Sequence, residues 1–105
     1  MWVICMFDIP VGTKIQQRKA TRFRNVLLDR GFAMKQFSVY IKACRDASSA
    51  KNAARDLRWA IPEDSSVSFL YITDKQYVTS DTFLGKNSVD NEELAREKNG
   101  QLLMF

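Results

Sequence analysis

The hydrophobic pattern of the chain starts with an uninterrupted apolar run, Trp2–Phe7, which ends at the carboxylate of Asp8. Pro10 and Gly12 follow, and a strand rarely continues through such residues. A continuous apolar run bounded by turn residues is typical of a strand buried on both faces. We therefore expect Asp8 to lie where a central strand leaves the sheet, a position that often carries functional side chains. The alternative is that Asp8 starts an Asx turn before Pro10.

The next segment has the pattern of an amphipathic helix. Thr13 and Gln16 form a capping box at its start. The helix is predicted to run to about Arg30, with Gly31 at the position that favours a left-handed backbone. At about 100° per residue, one face is apolar and should pack on the sheet. The apolar residues of this face are Ile15, Ala20, Phe23, Val26 and Leu27.

The other side of this helix carries a row of positive charge, called the basic ridge below. Its members are Lys14, Arg18 and Arg22. Lys19 and Arg24 are predicted to flank it, and no acidic residue follows until Asp29. An exposed helix face usually mixes charge signs to gain pairs four residues apart. The pattern therefore favours phosphate contact over a merely solvated face.

Two extended segments follow, Phe32–Gln36 and Phe37–Cys44, with no Gly, Pro or Asn between them. They form either one long bent strand or a hairpin with a tight turn at Lys35–Gln36. We prefer the hairpin, because the fold inferred below requires it.

A second helix is predicted next, capped by Asp46 or Ser48 and continuing to about Ala60, where Pro62 ends it. Small alanines on its apolar stripe permit close approach to the sheet. Trp59, near its end, is interpreted as a core or interface residue, with a base-stacking platform as the alternative.

The last part of the chain contains a second, nearly continuous apolar strand, Val67–Thr73, expected beside the first in the centre of the sheet. One short helical turn is predicted around Lys75–Val78. The polar segment 85–100 is interpreted as a surface loop holding a short helix, Asn91–Lys98. The segment Gln101–Phe105, in which four residues are apolar, predicts a strand that docks on another surface, since free termini otherwise fray.

This order of elements predicts a single α+β domain with the ferredoxin-like βαββαβ fold and an antiparallel sheet. Its parts are a core at about residues 1–80, a surface loop or short helix at 81–100 and a C-terminal strand at 101–105. Right-handed crossovers place both helices on one sheet face. The other face, with Trp2, Ile4 and Met6 or their alternates, would expose more apolar surface than monomers tolerate. We therefore expect a homodimer, with the last strand added to the partner's sheet edge.

Charge divides unevenly along the 105 residues, whose formal net charge is +4. Residues 1–60 hold twelve Lys and Arg against four Asp and Glu, whereas residues 61–105 hold four against eight. The first part of the chain is thus basic, which favours a face that binds a polyanion such as nucleic acid.

The chain has no histidine. This excludes imidazole general acid–base catalysis, the histidine-containing nucleophile triads and nearly every zinc enzyme. Cys5 and Cys44 lie inside apolar patterns without metal-ligand spacing, so we expect buried free thiols in a reducing cytoplasm. No apolar run reaches the roughly 20 residues of a membrane span, and Trp2–Phe7 lacks the flanks of a signal peptide.

Several motifs together resemble the CRISPR-associated protein 2 family, in the branch found with type II systems. The resemblance runs from Trp2 to about Lys75 and returns at Gln101–Phe105. The motifs are MFDIP at 6–10, the helix at 13–31, GF at 31–32, QFSVY at 36–40 and VSFLYIT at 67–73.

The resemblance implies a ferredoxin-like homodimer in the prokaryotic cytoplasm that takes part in spacer acquisition. There it would assemble with the CRISPR integrase and bridge two integrase dimers across double-stranded prespacer DNA. Members are also described as metal-dependent endonucleases that act on single-stranded RNA or double-stranded DNA. Asp8 matches the metal-binding aspartate of the family, which implies one Mg²⁺ shared between the two Asp8 residues of a dimer.

Two functional hypotheses follow: a DNA-binding scaffold whose partner performs catalysis, or a Mg²⁺-dependent endonuclease in which Asp8 is the catalytic residue. A single carboxylate per chain provides few ligands for the metal ion that phosphodiester hydrolysis would need, which favours the scaffold hypothesis. A ferredoxin-like regulatory domain for a small molecule is a weaker third alternative. The expected nucleic-acid contacts are Lys14, Arg18 and Arg22, followed by Lys19, Lys42 and Arg45.

Overall fold

The computed structural model describes residues 1–86 of the chain. Its four strands are β1 (Trp2–Asp8), β2 (Ala33–Gln36), β3 (Val39–Ala43) and β4 (Ser66–Ile72). Its helices are α1 (Lys14–Asp29), α2 (Ala47–Arg55), a 3₁₀ helix (Arg58–Ala60) and α3 (Asp74–Val78). The predicted order of elements is confirmed as far as α3. The helix predicted at Asn91–Lys98 and the strand predicted at Gln101–Phe105 lie outside the described residues.

The strands form one antiparallel sheet in the order β2-β3-β1-β4, which confirms the ferredoxin-like arrangement. The alternating residues Val3, Cys5 and Phe7 of β1 point to the helix side and are buried. The prediction that β4 lies beside β1 is confirmed, but its placement in the sheet centre is wrong, because β4 is the edge strand among the described residues. The α1 crossover leaves room for one strand between β1 and β2, and β3 fills it.

The start of α1 matches its prediction, because Thr13 and Gln16 hydrogen-bond each other's backbone N–H at 3.1 Å. Ala20, Phe23 and Leu27 are buried as expected. The expectation for Ile15 is wrong, since this side chain is 62% exposed. At about 100° per residue it lies about 120° around the helix from Leu27, outside the stripe that faces the sheet.

β2 and β3 do form a hairpin, but its turn is at Phe37–Ser38 and not at the expected Lys35–Gln36. Gln36 pairs with Val39, so two residues make the connection, and a bulge lies between Met34 and Gln36. Ser38 adopts a left-handed backbone with φ of 60°. A tight two-residue turn needs such a conformation, which no Gly or Asn in this segment signals.

Asp46, rather than Ser48, caps α2 by accepting a hydrogen bond from the Ser49 N–H at 2.8 Å. The helix reaches the expected end near Ala60 only through the tighter 3₁₀ helix. That helix carries Trp59, which is 58% exposed, so its interpretation as a core residue is wrong.

The sheet face opposite the helices is partly covered by the chain itself. α3 follows β4, and the Tyr77 ring stacks on Trp2 with centroids 4.1 Å apart. Away from this stack, Met6 and Leu70 remain 39% and 44% exposed. The expectation that only a partner would cover this face is therefore too simple, because α3 covers the Trp2 end.

Both cysteines are free thiols, Cys5 buried and Cys44 partly buried. No helix in the part of the chain that the structure describes is long and apolar enough to cross a membrane.

Candidate nucleic-acid interface

The basic ridge is an exposed surface along α1. Lys14, Arg18 and Arg22 are all exposed and line a shallow groove of about 650 Å³. The other residues that line it are Gln17, Thr21, Asn25, Val26 and Asp29. A rise of about 1.5 Å per residue places Lys14 and Arg22 about 12 Å apart along the helix axis. The ion pairs within residues 1–86 join Met1 to Asp74 and Arg45 to Asp46, so no ridge cation is neutralised by one.

The other predicted contacts lie in two places. Lys19 is on α1 beside the ridge and shares a smaller cleft with Arg22. Lys42 lies at the far end of α1, where its Nζ donates to the Arg30 carbonyl at 2.7 Å, a favourable position for a cation at a helix C-terminus. Arg45 follows β3, is 87% exposed and pairs with Asp46 at 3.5 Å. The structure thus brings four of the six predicted contacts together on α1.

Arg24 does not flank the ridge, contrary to the prediction. It is only 9% exposed, donates from Nη2 to the Thr21 hydroxyl at 3.3 Å and hydrogen-bonds Tyr40 in the core. The helical spacing indicates this burial, because Arg24 lies only about 60° around the helix from the buried Leu27.

Trp59, which the sequence pattern predicts as a core or interface residue, lies beside the basic surface. The guanidinium carbon of Arg22 lies 5.9 Å from the centroid of the Trp59 ring, and the guanidinium carbon of Arg30 lies 5.8 Å from it. Such distances allow cation–π attraction. Trp59, Lys19 and Arg22 line a cleft of about 190 Å³ with Ala60, Ile61, Pro62 and Glu63.

Asp8 ends β1 on the sheet face opposite the helices and is exposed. It lies in register with Ser66 of β4, and the preceding residue, Phe7, donates its N–H to the Ser38 carbonyl at 3.0 Å. Among residues 1–86 the Asp8 carboxylate accepts no hydrogen bond, so an Asx turn does not hold it.

The surroundings of Asp8 limit which metal site is feasible. Within the described part of the chain, no three His, Cys, Asp or Glu side chains group closely enough to hold a metal ion. Mg²⁺, however, commonly takes one or two carboxylates and completes its shell with water and phosphate oxygens. An exposed Asp8 fits such a hydrated cation as one ligand, with the remaining ligands supplied from outside residues 1–86.

Comparison with known proteins identifies the family. The family described as CRISPR associated protein Cas2 matches residues 1–80. A protein of Paracidovorax avenae named CRISPR-associated endoribonuclease Cas2 is 42% identical over 87 residues, which covers 83% of this chain and 81% of that protein. A Flavobacterium psychrophilum protein of the same name is 34% identical over 97 residues, 92% of this chain and 84% of that protein.

A solved structure also has the same fold. The crystal structure of Streptococcus pyogenes Cas2 at pH 6.5 aligns with a TM-score of 0.62 and 18% identity, covering 80% of this chain and all of that one. At this identity the likeness concerns the fold alone. The family match and the relatives' identity over most of both chains carry the assignment, and the chain belongs to the CRISPR associated protein Cas2 family.

Proposed function

We propose that the chain is the homodimeric, double-stranded-DNA-binding subunit of a CRISPR adaptation complex, in which it bridges integrase dimers on prespacer DNA. The observation that carries the proposal is the basic ridge, whose three cations point into solvent without an ion pair in residues 1–86. Lys and Arg side chains in such a row can contact phosphates along a duplex. Phosphate contacts position the duplex without reading its sequence.

A second copy of the chain is part of the proposal. Met6 and Leu70 leave apolar surface on the sheet face opposite α1, and a second sheet is the simplest cover for it. A two-fold dimer joined through that face would carry its two basic ridges on the outside. Two ridges can contact a longer duplex than one, which suits a bridging role.

The double substitution of Arg18 and Arg22 by Ala tests the binding surface. We expect weaker binding to every duplex sequence and a salt dependence that is flatter by roughly one unit of slope per lost contact. The measurement is duplex affinity against salt concentration by fluorescence anisotropy. The matched control replaces Arg55 and Lys75 by Ala, which removes the same charge from exposed positions of α2 and α3. An unchanged slope in the ridge variant would contradict the proposal.

A second candidate function is a Mg²⁺-dependent endonuclease for single-stranded RNA or double-stranded DNA. Two observations favour it: relatives are named endoribonucleases, and Asp8 is exposed at the end of a central strand. Asp8 and Asp8 of the partner subunit would together hold the cation, which would lower the pKa of a bound water and stabilise the leaving oxygen. The chain's own contributions would be the anionic ligand and the basic ridge that binds the substrate.

The substitution Asp8→Asn separates the two functions, because it keeps the size of the side chain and removes its charge. We expect dimerisation, duplex binding and spacer acquisition to persist, whereas any Mg²⁺-dependent cleavage of RNA or DNA by the purified protein should vanish. Asp64→Asn is the control, since Asp64 is another exposed acid whose left-handed backbone Asn tolerates. Loss of acquisition in cells, with dimerisation and DNA binding intact, would instead make Asp8 chemistry the essential function.

A further inference from the structure

The cleft around Trp59 combines an accessible aromatic ring with fixed positive charge. Two guanidinium groups lie within 6 Å of the ring centroid, yet Trp59 remains 58% exposed. Arg30 is held in place by a hydrogen bond from Nη1 to the Asp56 carbonyl at 3.4 Å. The ring therefore keeps exposed surface for a further contact, with the guanidinium groups of Arg22 and Arg30 beside it.

We propose that this cleft is a binding subsite for one unpaired nucleotide of a single-stranded segment. The base stacks on Trp59, and the adjoining phosphates pair with Lys19, Arg22 and Arg30. This inference rests on the proposed nucleic-acid function and extends it, since the basic ridge alone would take a duplex backbone and leave no place for an unstacked base.

The composition of the cleft favours a nucleotide over a peptide. Among residues 1–86, Glu63 is the one acidic residue that lines it, against Lys19 and Arg22 from α1 and the nearby Arg30. Its volume of about 190 Å³ is below the roughly 300–1,000 Å³ of sites that take drug-sized ligands. A cleft of this size suits one planar base, and a duplex cannot enter it.

Arg22 makes the cleft continuous with the basic ridge. The same side chain lines the ridge groove and lies over the Trp59 ring. A strand whose phosphates follow Lys14, Arg18 and Arg22 would reach Trp59 without leaving the positive surface. Aromatic rings at the end of such electrostatic grooves commonly stack bases with little sequence preference.

The test uses the fluorescence of Trp59 itself. The chain has two tryptophans, so the variant Trp2→Phe leaves Trp59 as the single reporter and keeps a ring against Tyr77. In this background, titration with a short oligothymidylate should quench the emission, because a base stacks directly on the indole. Titration with a blunt duplex of equal length should leave the emission nearly unchanged.

Affinity provides the second readout. Trp59→Ala should weaken oligothymidylate binding about 5- to 150-fold, the range for loss of one base stack, and change duplex affinity by no more than about twofold. Trp59→Phe should restore most of the single-strand affinity. Arg18→Ala is the matched control and should weaken single-strand and duplex binding alike, with full quenching at saturation. Trp59 and Arg18 are exposed and Trp2→Phe keeps an aromatic ring against Tyr77, so all variants should fold, which circular dichroism checks.

Three results would overturn the subsite: no quenching by the single strand, an equal loss of single-strand and duplex affinity in Trp59→Ala, or a loss that Trp59→Phe fails to restore. Unchanged nucleic-acid affinity together with weaker binding to the purified integrase would make the cleft a protein interface and reject the proposal. Quenching by single strands without duplex binding by the ridge would reject the proposed function and keep the subsite.

Discussion

At the scale of single residues, burial controls the chemistry of the ionisable groups beneath α1. Cys5 has no exposed surface, and desolvation raises the pKa of its thiol to about 12. Desolvation also raises the pKa of Tyr40, although the positive charge and hydrogen bond of Arg24 act in the opposite direction. These groups are therefore neutral in the folded protein at physiological pH and contribute packing to the core.

We predict that Cys5 makes the fold sensitive to alkali. A thiol whose pKa is raised from 9.0 to about 12 stabilises the fold fully below pH 9, and this contribution is lost as pH rises toward 12. In Cys5→Ala the free energy of unfolding should be lower at pH 7, because a small cavity forms, but it should fall less steeply above pH 9. The difference in slope approaches about 1.4 kcal/mol per pH unit.

The measurement is urea denaturation of both proteins from neutral pH to above pH 10. The titrating groups that Cys5 does not influence are common to both proteins and cancel in the comparison. Tyr40 adds to the difference, because charge on Cys5 also raises its pKa. Parallel curves for the two proteins would contradict the assigned role of the Cys5 thiol.

At the scale of elements, the charges at the start of α1 reduce the stability of this helix. Its first turn carries no acidic residue, and its first residue is Lys14. A cation next to the positive end of the helix dipole is unfavourable, and Lys14, Arg18 and Arg22 repel one another four residues apart. The capping box of Thr13 and Gln16 offsets part of this cost. Such a charge pattern has a reason if the helix binds phosphates.

We predict that Lys14→Glu stabilises the protein and weakens its binding to DNA. Glu at this position interacts favourably with the helix dipole and pairs with Arg18, together by about 1 kcal/mol. The melting temperature should rise by several degrees, while duplex affinity falls. Lys14→Gln, which removes charge without reversing it, should give intermediate values of both. A destabilised Lys14→Glu protein, or one with unchanged DNA affinity, would contradict this account of α1.

At the scale of the whole molecule, the two faces of the sheet are covered differently. α1 and α2 bury one face, whereas α3 covers only the Trp2 end of the other. Strand β4, an edge strand among residues 1–86, is apolar along most of its length, yet its residues range from partly buried to exposed. Residues 1–86 alone therefore leave part of this apolar surface in contact with solvent, which is the physical reason to expect a second copy.

We predict that Leu70→Glu weakens the homodimer. Leu70 lies in register with Ile4 on the open face and is 44% exposed, so a monomer should tolerate the charge, whereas a dimer interface should not. Light scattering of the wild type at micromolar concentration should give twice the chain mass of 12.1 kDa. The variant should shift toward one chain mass.

Ile15→Glu is the control for this experiment. It places the same charge at an exposed apolar position of α1, on the other side of the molecule, and should leave the dimer intact. A monomeric wild type, or a Leu70→Glu protein that dimerises normally, would reject the open face as the interface.

The local elements were predictable from the sequence because their signals are local. The capping box at Thr13, the apolar run of β1 and the short helix after β4 each depend on residues within a few positions of one another. The order of these elements and the handedness of crossovers then favour one sheet topology. The exposed basic ridge follows from helical periodicity alone, since Leu27 defines the buried side of α1.

Tertiary structure alone decided the features that depend on which surfaces meet. Arg24 is buried against Tyr40, although arginine is usually exposed. Trp59 stays exposed beside Arg22 and Arg30, although tryptophan is usually well buried. Among residues 1–86, β4 is an edge strand, because it pairs with β1 and no other described strand lies on its far side. Each of these outcomes is a contact between residues distant in sequence, and its free energy depends on distances and burial that no local pattern contains.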